Sequence, residues 1–592
     1  MRTVRHAFAL LCLLLASSAA AQAGAPGPSE RLAALTRRYL DGLFRAKPHL
    51  ATYMGVHDQD GALPDLSASG VKRRVAELTA QQRELAALDR QALSPDGRID
   101  AAILSDGIGL ELLELTAIRE WTWNPRLVDD FTFYDPREVV AGRLSDVIHG
   151  DFAPEPVRRR AVAAQLRALP RYLSQRKVAF GAVSKVHLEQ AVKDNKGRIE
   201  FFETEVRGFT RADPAAEQAR VKAVAALRDY QRFLETALPK RATRDWRLGP
   251  ALYRKKFPLA LQTDLRPDED VVPRARQAFQ ETRRALYETA VALAAQLWPS
   301  EPPPPKDLDA AGQARLIARV KDELSKEHPA AADLVASHAR QIDGLRAFIE
   351  AKGLLALPPA DTLTVAPEPE FKRGGAGAEY LSPGMLDKEV AWKGTYYVEP
   401  VDPSWSKEKQ ESYLRAENRY EVALTAAHEA YPGHHTQAWY ARKDLSPLRA
   451  TLWDGAFAEG WAVYGTTLLV REGFGAAENA RYRFLDLQGS MIVAANALLD
   501  IQLQGGAMTD AEALRFMVED GFQERAQAEK KLLRAKLDST QLCQYFLGSS
   551  ELAALERDVR AKGPFSQRAF DEALVGHGTI AVKHLRRYLL GP

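Results

Sequence analysis

The sequence predicts a mainly α-helical fold, because long amphipathic stretches rich in Ala, Leu, Arg and Glu fill most of the chain. These residues have high helix propensity, and their apolar positions recur with the helical period. Strand-like patterns are few and short. We therefore expect long helices with a few short strands, and the clearest helical stretches are Val71–Leu88, Pro156–Phe180, Ala215–Leu238 and Pro273–Leu297.

Two stretches interrupt the helical pattern. The run Pro302–Pro305 cannot continue a helix and marks a surface connection. The stretch Leu357–Pro403 is rich in Pro and Gly, and within it Val390–Val398 has the β-branched and aromatic composition of a strand. Such a strand either pairs with an extended peptide or forms a small structural hairpin, and the sequence leaves both interpretations open.

The first residues have the pattern of a secretory signal peptide. Two Arg precede the apolar run Ala7–Ala16, and Ala21–Ala23 supplies a small-x-small cleavage site. The run is too short to span a membrane, so the alternative is an apolar N-terminal helix. We expect residues 1–23 to be a signal peptide and residues 24–592 to form one large helical domain, with a subdomain boundary near 300–306 as the alternative.

The composition limits which classes of partner and which cellular compartment are compatible with the chain. The formal net charge is only +3 over 592 residues, and no basic stripe indicates a nucleic-acid partner. After the signal peptide no apolar run reaches 18 residues, so we expect a periplasmic or secreted protein without a membrane span. Leu11 before Cys12 is larger than the small residue usual at a lipoprotein site. Cleavage of the signal peptide would remove Cys12 and leave Cys543 as the single cysteine. We expect Cys543 to be a buried structural residue, and a catalytic nucleophile is the alternative.

The most informative segment is His428–His435, which reads His-Glu-Ala-Tyr-Pro-Gly-His-His. In a plain His-Glu-x-x-His helix, two His four positions apart bind one zinc ion. Here that later position is Pro432. In a straight helix His434 would lie about 240° around the axis and His435 about 10.5 Å further along it, so neither would converge on the first His. We expect the Pro-Gly pair to break the helix, so that one of the two later His turns back to the metal.

A third protein ligand is needed, and the best candidate lies downstream. Glu459 is an acid within the otherwise apolar or Gly-containing run Ala456–Tyr464, where an unpaired carboxylate is costly to bury. Glu429 follows His428 directly and points elsewhere around the helix, which suits abstraction of a proton from water. A lone His-Glu pair is usually a solvated helix face, but three His and a distant acid favour a metal site.

The segments His428–Gln437 (HEAYPGHHTQ) and Phe457–Tyr464 (FAEGWAVY) resemble the two motifs of the bacterial family called domain of unknown function 885. Three other segments resemble further parts of that family: Pro48–Ser67, Thr395–Pro400 and Tyr545–Gly548 (YFLG). The family is similar to the gluzincin metallopeptidases, an all-α group in which two His and a downstream Glu hold zinc. The resemblance thus implies a large helical metallopeptidase-like fold with a few short strands beside the active-site cleft.

The resemblance also implies roles for single residues. His428 and Glu459 carry over as ligands of one zinc ion, and Glu429 carries over as the catalytic base. The first His after Pro-Gly is the more regular one in the family, which makes His434 the second ligand. His435 then supports the site or faces the substrate, and the reverse assignment of these two His is the alternative.

Other candidate residues follow from the same resemblance. Tyr545 and His577 are candidate donors to the tetrahedral oxyanion, since helical gluzincins use Tyr or His for that purpose; the alternatives are a core Tyr and an ordinary loop His. His57 is a weaker candidate for lining the cleft. The chain departs from the family pattern at Thr466, where an acid is common, and at Gln504, where a His is common. These departures leave the metal ligands intact but concern substrate recognition.

The leading hypothesis is therefore an exported zinc-dependent hydrolase, a peptidase acting on short peptides, in which Glu429 activates a zinc-bound water. A zinc amide or ester hydrolase acting on non-peptide substrates has the same site and is the second hypothesis. A catalytically weakened periplasmic binding protein is the third. The presence of Glu429 argues against this third hypothesis, because zinc binding alone does not need that carboxylate.

Overall fold

The structure is a computed structural model that describes residues 26–129, 137–305, 308–368, 377–387, 390–443 and 446–591. The predicted signal peptide and Cys12 lie outside these residues. Helices form most of the described chain, which confirms the predicted mainly α fold.

The α-helices, in chain order, are α1 (Pro28–Ala46), α2 (Pro48–Met54), α3 (Ala68–Ala86), α4 (Pro95–Leu113), α5 (Ala141–His149), α6 (Glu155–Ala179), α7 (Lys185–Glu203), α8 (Glu205–Thr210), α9 (Pro214–Thr236), α10 (Pro250–Ala260), α11 (Val272–Leu297), α12 (Ala310–Leu324), α13 (Leu334–Lys352), α14 (Lys407–Ala416), α15 (Arg419–Glu429), α16 (His434–Arg442), α17 (Pro447–Thr451), α18 (Gly455–Arg471), α19 (Asn479–Gln504), α20 (Asp510–Arg515), α21 (Arg525–Leu537), α22 (Cys543–Ala561), α23 (Gln567–Gly576) and α24 (Val582–Leu590). The strands are β1 (Val128–Asp129), β2 (Arg137–Glu138), β3 (Leu363–Pro367), β4 (Ala378–Leu381) and β5 (Gly394–Val398).

The four predicted helical stretches correspond to α3, α6, α9 and α11, each within three residues at either end. Local signals fix their first turns. The Ser67 side chain accepts a hydrogen bond from the Gly70 amide at the start of α3, and Asp213 does the same for two amides at the start of α9. The run Pro302–Pro305 lies between α11 and α12 and is mostly exposed, as predicted for a surface connection.

Separate apolar cores organise the helices. One core, contributed by residues between Leu127 and Leu238, holds α5 to α9 together. One larger core joins the N-terminal and C-terminal helices, and a second joins α10, α11 and α12 to C-terminal helices. Helices α15, α18 and α22 contribute side chains to both of these cores. These three helices therefore lie between the two larger cores, and the His-Glu segment and the downstream acid are both on this buried framework.

Helix α19 is long and apolar. The segment Ala476–Gln504 has the length and composition of a membrane span, but 67% of its most apolar 18-residue stretch is buried inside the molecule. Met491 and Ala495 of this helix are fully buried in one of the two larger cores. This burial is the environment of a core helix in a globular protein.

A three-stranded sheet lies beside α15. Strand β5 is central, with β3 parallel on one side and β4 antiparallel on the other. Tyr396 of β5 stands opposite Val365 of β3 and Tyr380 of β4. β5 is the C-terminal part of the predicted strand Val390–Val398, whereas β3 and β4 have no counterpart in the sequence prediction. Strand β4 packs against α15, so the expected short strands do lie next to the His-Glu segment.

Candidate metal centre

The Pro-Gly pair breaks the helix, as predicted. Helix α15 ends at Glu429 and α16 begins at His434. Gly433 has no room for a side chain, because a Cβ there would lie 1.7 Å from the carbonyl oxygen of His428. The amide of Gly433 donates to the carbonyl of Ala427 at 3.0 Å, which closes a tight turn. This turn brings the first residue of α16 back beside the end of α15.

Three side chains converge at this break. The Nε2 atom of His428 lies 3.4 Å from Oε2 of Glu459, and Nε2 of His434 lies 3.6 Å from the same oxygen. One ligand atom from each of these residues can be chosen so that all lie within 4.8 Å of one another. The structure therefore brings His434, and not His435, to the other two predicted ligands.

Helix α18 delivers Glu459 through contacts made by its neighbours in sequence. Trp461 donates from its indole Nε1 to the carbonyl of Pro432 at 2.9 Å. Gly465 makes room for the Pro432 ring, since a Cβ there would lie 2.8 Å from its Cγ. The Asp454 side chain caps α18 by accepting from the Ala456 amide. The Glu-Gly-Trp motif thus fastens α18 to the break between α15 and α16.

Two glycines allow α18 and α22 to pack at close range. A Cβ on Gly460 would lie 2.3 Å from the backbone carbon of Gly548, and one on Gly548 would lie 1.7 Å from the carbonyl oxygen of Ala456. Further along both helices, the Tyr464 hydroxyl donates to Glu556 at 2.9 Å. The two helices therefore run parallel, and the motif Tyr-Phe-Leu-Gly supplies the close contact behind Glu459.

The carboxylate of Glu459 is buried and incompletely hydrogen-bonded. Its side chain is 1% exposed, and within the described part of the chain its Oε2 atom has no hydrogen-bond partner. Burial acts to raise the pKa of Glu459, but the interactions with His428 and His434 outweigh it and hold the pKa below the usual range. Burying an ionised carboxylate is costly unless it is paired, and a cation bound at this position would offset that cost.

Two of the three donor separations are close to those expected around a zinc ion. Ligand atoms bound to zinc at about 2.0–2.1 Å in a tetrahedron are about 3.3 Å apart, close to the two distances measured here. Two imidazoles and one carboxylate are a common protein set at catalytic zinc sites, where a fourth position is left open. The side chains of His428 and His434 are 22% and 12% exposed, so both are partly open to solvent.

Glu429 lies beside the triad without belonging to it. The residue is 8% exposed. Burial raises its pKa to about 7; the adjacent His428 opposes this shift, and Glu459 adds to it. The backbone N–H of Tyr380 in β4 interacts with the carboxylate and favours its ionised form. Glu429 is therefore held between the helix break and the edge of the sheet.

His435 is fully buried on the other side of the break. Its Nδ1 lies 3.1 Å from the Tyr380 hydroxyl, and its Nε2 lies 3.1 Å from the Thr362 hydroxyl. Burial lowers the pKa of His435 to about 3, and the guanidinium of Arg346 lowers it further. Both ring nitrogens are thus committed to hydroxyl groups of the sheet region.

The remaining candidates occupy different environments. Tyr545 lies in the first turn of α22, one turn before Gly548, and is partly buried. His577 follows α23, and its ring stacks on Tyr588 with centroids 3.9 Å apart. The Nδ1 atom of His57 lies 3.0 Å from Asp60, and its ring stacks on Phe152. The roles predicted for Tyr545, His577 and His57 stay predictions.

Cys543 and the two departures from the family pattern have structural contacts. Cys543 is buried, and burial raises the pKa of its thiol well above the usual value, which fits the structural interpretation. Thr466 donates to the carbonyl of Ala462 one turn earlier in α18. The side-chain amide of Gln504 donates to two backbone carbonyls and accepts from the Leu248 amide, so it joins α19 to neighbouring segments.

Sequence reasoning missed the residues of the sheet that contact the site. Tyr380 and Thr362 lie about fifty or more positions before the His cluster, in a stretch interrupted by Pro and Gly. The one available signal was the predicted strand that became β5. Its neighbours β3 and β4 are five and four residues long, too short for a clear alternation of apolar and polar positions.

Comparisons with known proteins agree with this architecture. The family described as bacterial protein of unknown function, DUF885, matches residues 48–589, and the chain belongs to that family. Among curated proteins no sequence matches the chain.

Two solved structures are similar over nearly the whole chain. A candidate lipoprotein of unknown function from Shewanella oneidensis has 28% sequence identity and a TM-score of 0.77, with 96% of this chain and 100% of that one covered. A candidate lipoprotein from Colwellia psychrerythraea has 15% identity and a TM-score of 0.75, with 95% and 99% covered. At 15% identity the second likeness shows the fold alone.

Proposed function

We propose that this protein is a zinc-dependent hydrolase that cleaves peptide bonds in short peptides. The observation that carries the proposal is the meeting of two imidazoles with a buried, incompletely hydrogen-bonded carboxylate, directly beside a second carboxylate that is not part of the triad. A site that only bound a metal ion would not need this second carboxylate. The similarity to gluzincin metallopeptidases that the sequence motifs predict supports the same assignment.

His428, His434 and Glu459 would hold the ion. When bound, zinc supplies a Lewis acid and lowers the pKa of water toward neutrality. Glu429 accepts the proton of the water that attacks the scissile carbonyl carbon. As the C–N bond breaks, the same carboxyl group gives that proton to the leaving amine.

Two features favour short peptides as substrates. Among the described strands, β4 lies at the edge of its sheet, next to Glu429, and an extended peptide can pair with such an edge irrespective of its side chains. The triad is recessed, since its most exposed side chain is only 22% exposed. A recessed site admits a chain end or a short peptide more readily than a folded protein.

We also propose that the protein is exported and acts in the cell envelope or outside the cell. Residues 1–23 have the pattern of a signal peptide, and the two similar solved structures are described as candidate lipoproteins. Mass measurement of the mature N-terminus tests this proposal. Cleavage after Ala23 would support it, whereas an uncleaved N-terminus in the expressing cell would contradict it.

The function is tested on the purified mature protein. We expect one zinc ion per chain by metal analysis, hydrolysis of members of a mixed peptide library, and loss of hydrolysis after chelation and its return when zinc is added. Glu429→Ala should keep the ion but lose about 10²- to 10⁴-fold in kcat, the usual contribution of a general base.

Three outcomes would contradict the proposal. They are absence of bound metal in the wild type, hydrolysis that survives chelation, and equal activity in the Glu429→Ala variant. Cleavage of simple esters or amides with no cleavage of any peptide would leave the metal site standing and overturn the substrate class.

A further inference from the structure

The second His of the Pro-Gly-His-His segment lies in a cage of aromatic rings. The ring of His435 meets the rings of Tyr380 and Tyr431 edge-on, with centroids 5.3 Å and 5.4 Å apart. Trp392 stacks on it at 6.4 Å. These contacts and its full burial leave the ring one orientation. His435 therefore joins α16, which begins with the predicted ligand His434, to the sheet.

The hydrogen bonds of His435 have a defined direction. The Thr362 hydroxyl donates its single proton to the carbonyl of Pro359 at 2.6 Å, so its oxygen can only accept from His435. Nε2 of His435 therefore carries the proton. Nδ1 is left as an acceptor, and the Tyr380 hydroxyl donates to it. A neutral His435 satisfies both hydroxyls at once.

The Tyr380 ring is tightly packed against the neighbouring strand. A Cβ on Gly394 of β5 would lie 2.3 Å from the Tyr380 hydroxyl, so the ring lies directly against that backbone. With its hydroxyl end held by His435, Tyr380 cannot shift along the strand. Its backbone N–H, on the same residue, is the group that β4 presents to the Glu429 carboxylate.

We propose that His435 is a positioning residue that acts on the catalytic base through Tyr380. By fixing the Tyr380 side chain, it fixes the register of β4 and hence the backbone N–H that orients Glu429. The two adjacent His then have different roles. His434 faces the proposed metal site, and His435 holds the strand that orients the base. The kinetic part of this inference rests on the proposed function, whereas the part concerning β4 does not.

The test compares four variants. His435→Phe keeps the ring volume but removes both hydrogen bonds, and His435→Gln keeps one donor and one acceptor. Tyr380→Phe removes only the hydroxyl. His187→Phe is the matched control, since His187 is also buried and bonded to a hydroxyl, that of Ser184, but lies in the separate core of α5 to α9.

For His435→Phe we expect zinc content to stay at one ion per chain and kcat to fall about 10- to 100-fold, as for other groups that orient a catalytic site from behind. The loss should appear mainly in kcat, because Glu429 acts in the chemical step, with a smaller rise in KM because β4 also pairs with the substrate. Tyr380→Phe should give a similar loss, and the double variant should be little worse than either single one, since both break the same link. His435→Gln should recover most of the rate, and His187→Phe should keep it.

Hydrogen exchange of the segment Ala378–Leu381 supplies a readout independent of activity. We expect faster exchange in His435→Phe and Tyr380→Phe, and wild-type exchange in His187→Phe. Unchanged exchange and kcat in His435→Phe would overturn the inference, and loss of zinc in that variant would reassign His435 as a metal ligand. If the wild type bound zinc but cleaved no peptide, the proposed function would fall, and the exchange experiment would still decide the role of His435.

Discussion

The pair of parallel helices α18 and α22 has a buried glutamate at each end, and the two glutamates have different hydrogen-bond partners. At one end Glu556 accepts hydrogen bonds from Arg471, Arg560 and the Tyr464 hydroxyl. At the other end Glu459 faces two imidazoles and keeps one oxygen without a hydrogen bond in the described chain. Permanently charged guanidinium groups therefore offset burial at the Glu556 end, whereas the partners at the Glu459 end are two imidazoles, which can also bind a metal ion when neutral. This difference is the physical reason to propose an added cation at the Glu459 end.

The strongest test of the comparison replaces each glutamate in turn. Glu459→Gln should lose the zinc ion on dialysis and hydrolysis with it, because an amide is a poor ligand beside two neutral imidazoles. Glu556→Gln should keep the ion and lower the free energy of unfolding by about 1–3 kcal/mol, since its arginines lose a charged acceptor. Metal analysis and denaturant unfolding measure both effects. Equal zinc content in Glu459→Gln would break the comparison.

A second test separates the residues proposed to face the reaction. Tyr545 precedes the Gly460–Gly548 contact and so lies at the Glu459 end of the helix pair, whereas the ring of His577 is stacked on Tyr588. We expect Tyr545→Phe to lower kcat by about 100-fold, the usual loss of one oxyanion donor, and His577→Ala by less than tenfold. Steady-state kinetics with bound zinc verified in each variant would measure this. A larger loss for His577→Ala would reverse the assignment.

The glycine contact between the two ends gives a third test. Gly548→Ala would press a methyl group against the Ala456 carbonyl, and we expect it to lower the free energy of unfolding by about 1–3 kcal/mol. Gly489→Ala is the control, because this exposed position in α19 has open space around it. There the change should stabilise by up to about 1 kcal/mol through helix propensity. Equal effects of the two changes, measured by thermal or denaturant unfolding, would disprove the close packing of α18 and α22.

The last test of the comparison is a pH dependence of stability at the Glu556 end. Burial raises the pKa of Asp571 from 3.8 to about 8, and Glu556 adds to this shift. The folded state therefore binds one more proton than the unfolded state between these values, so stability falls as pH rises from about 4 to about 8. Asp571→Asn cannot titrate and should show a shallower fall over this range, whereas Asp89→Asn, at an exposed turn, should follow the wild type. An unchanged slope in Asp571→Asn would contradict the shift.

Much of the fold follows from the sequence because its signals are local. Helix α9 begins after the cap Asp213, and α15 ends before Pro432, as residue types at those positions demand. The three converging side chains were predictable for a similar reason, since an acid in an apolar run and a His-Glu pair are visible without a fold. Which of His434 and His435 lies beside His428 and Glu459 depends on the turn geometry at Gly433, which spacing alone cannot supply.

The sheet contacts of the site could not be predicted. The role of Tyr380 arises from its backbone N–H and from the pairing of β4 with β5, and neither leaves a mark on the identity of the residue. The contact of Gly460 with Gly548 likewise joins positions 88 apart in the chain. Each glycine alone is compatible with a turn, a flexible point or a close approach, and only their meeting in space decides among these.

The break at Gly433 also changes what an ion would mean for the whole molecule. In an unbroken His-Glu-x-x-His helix both imidazoles belong to one rigid helix, so binding of the metal ion changes the stability of the fold only slightly. Here the donors come from three separate helices, α15, α16 and α18. A bound ion would therefore cross-link these helices. Its binding energy is then shared with the fold, so the melting temperature should rise with the concentration of free zinc.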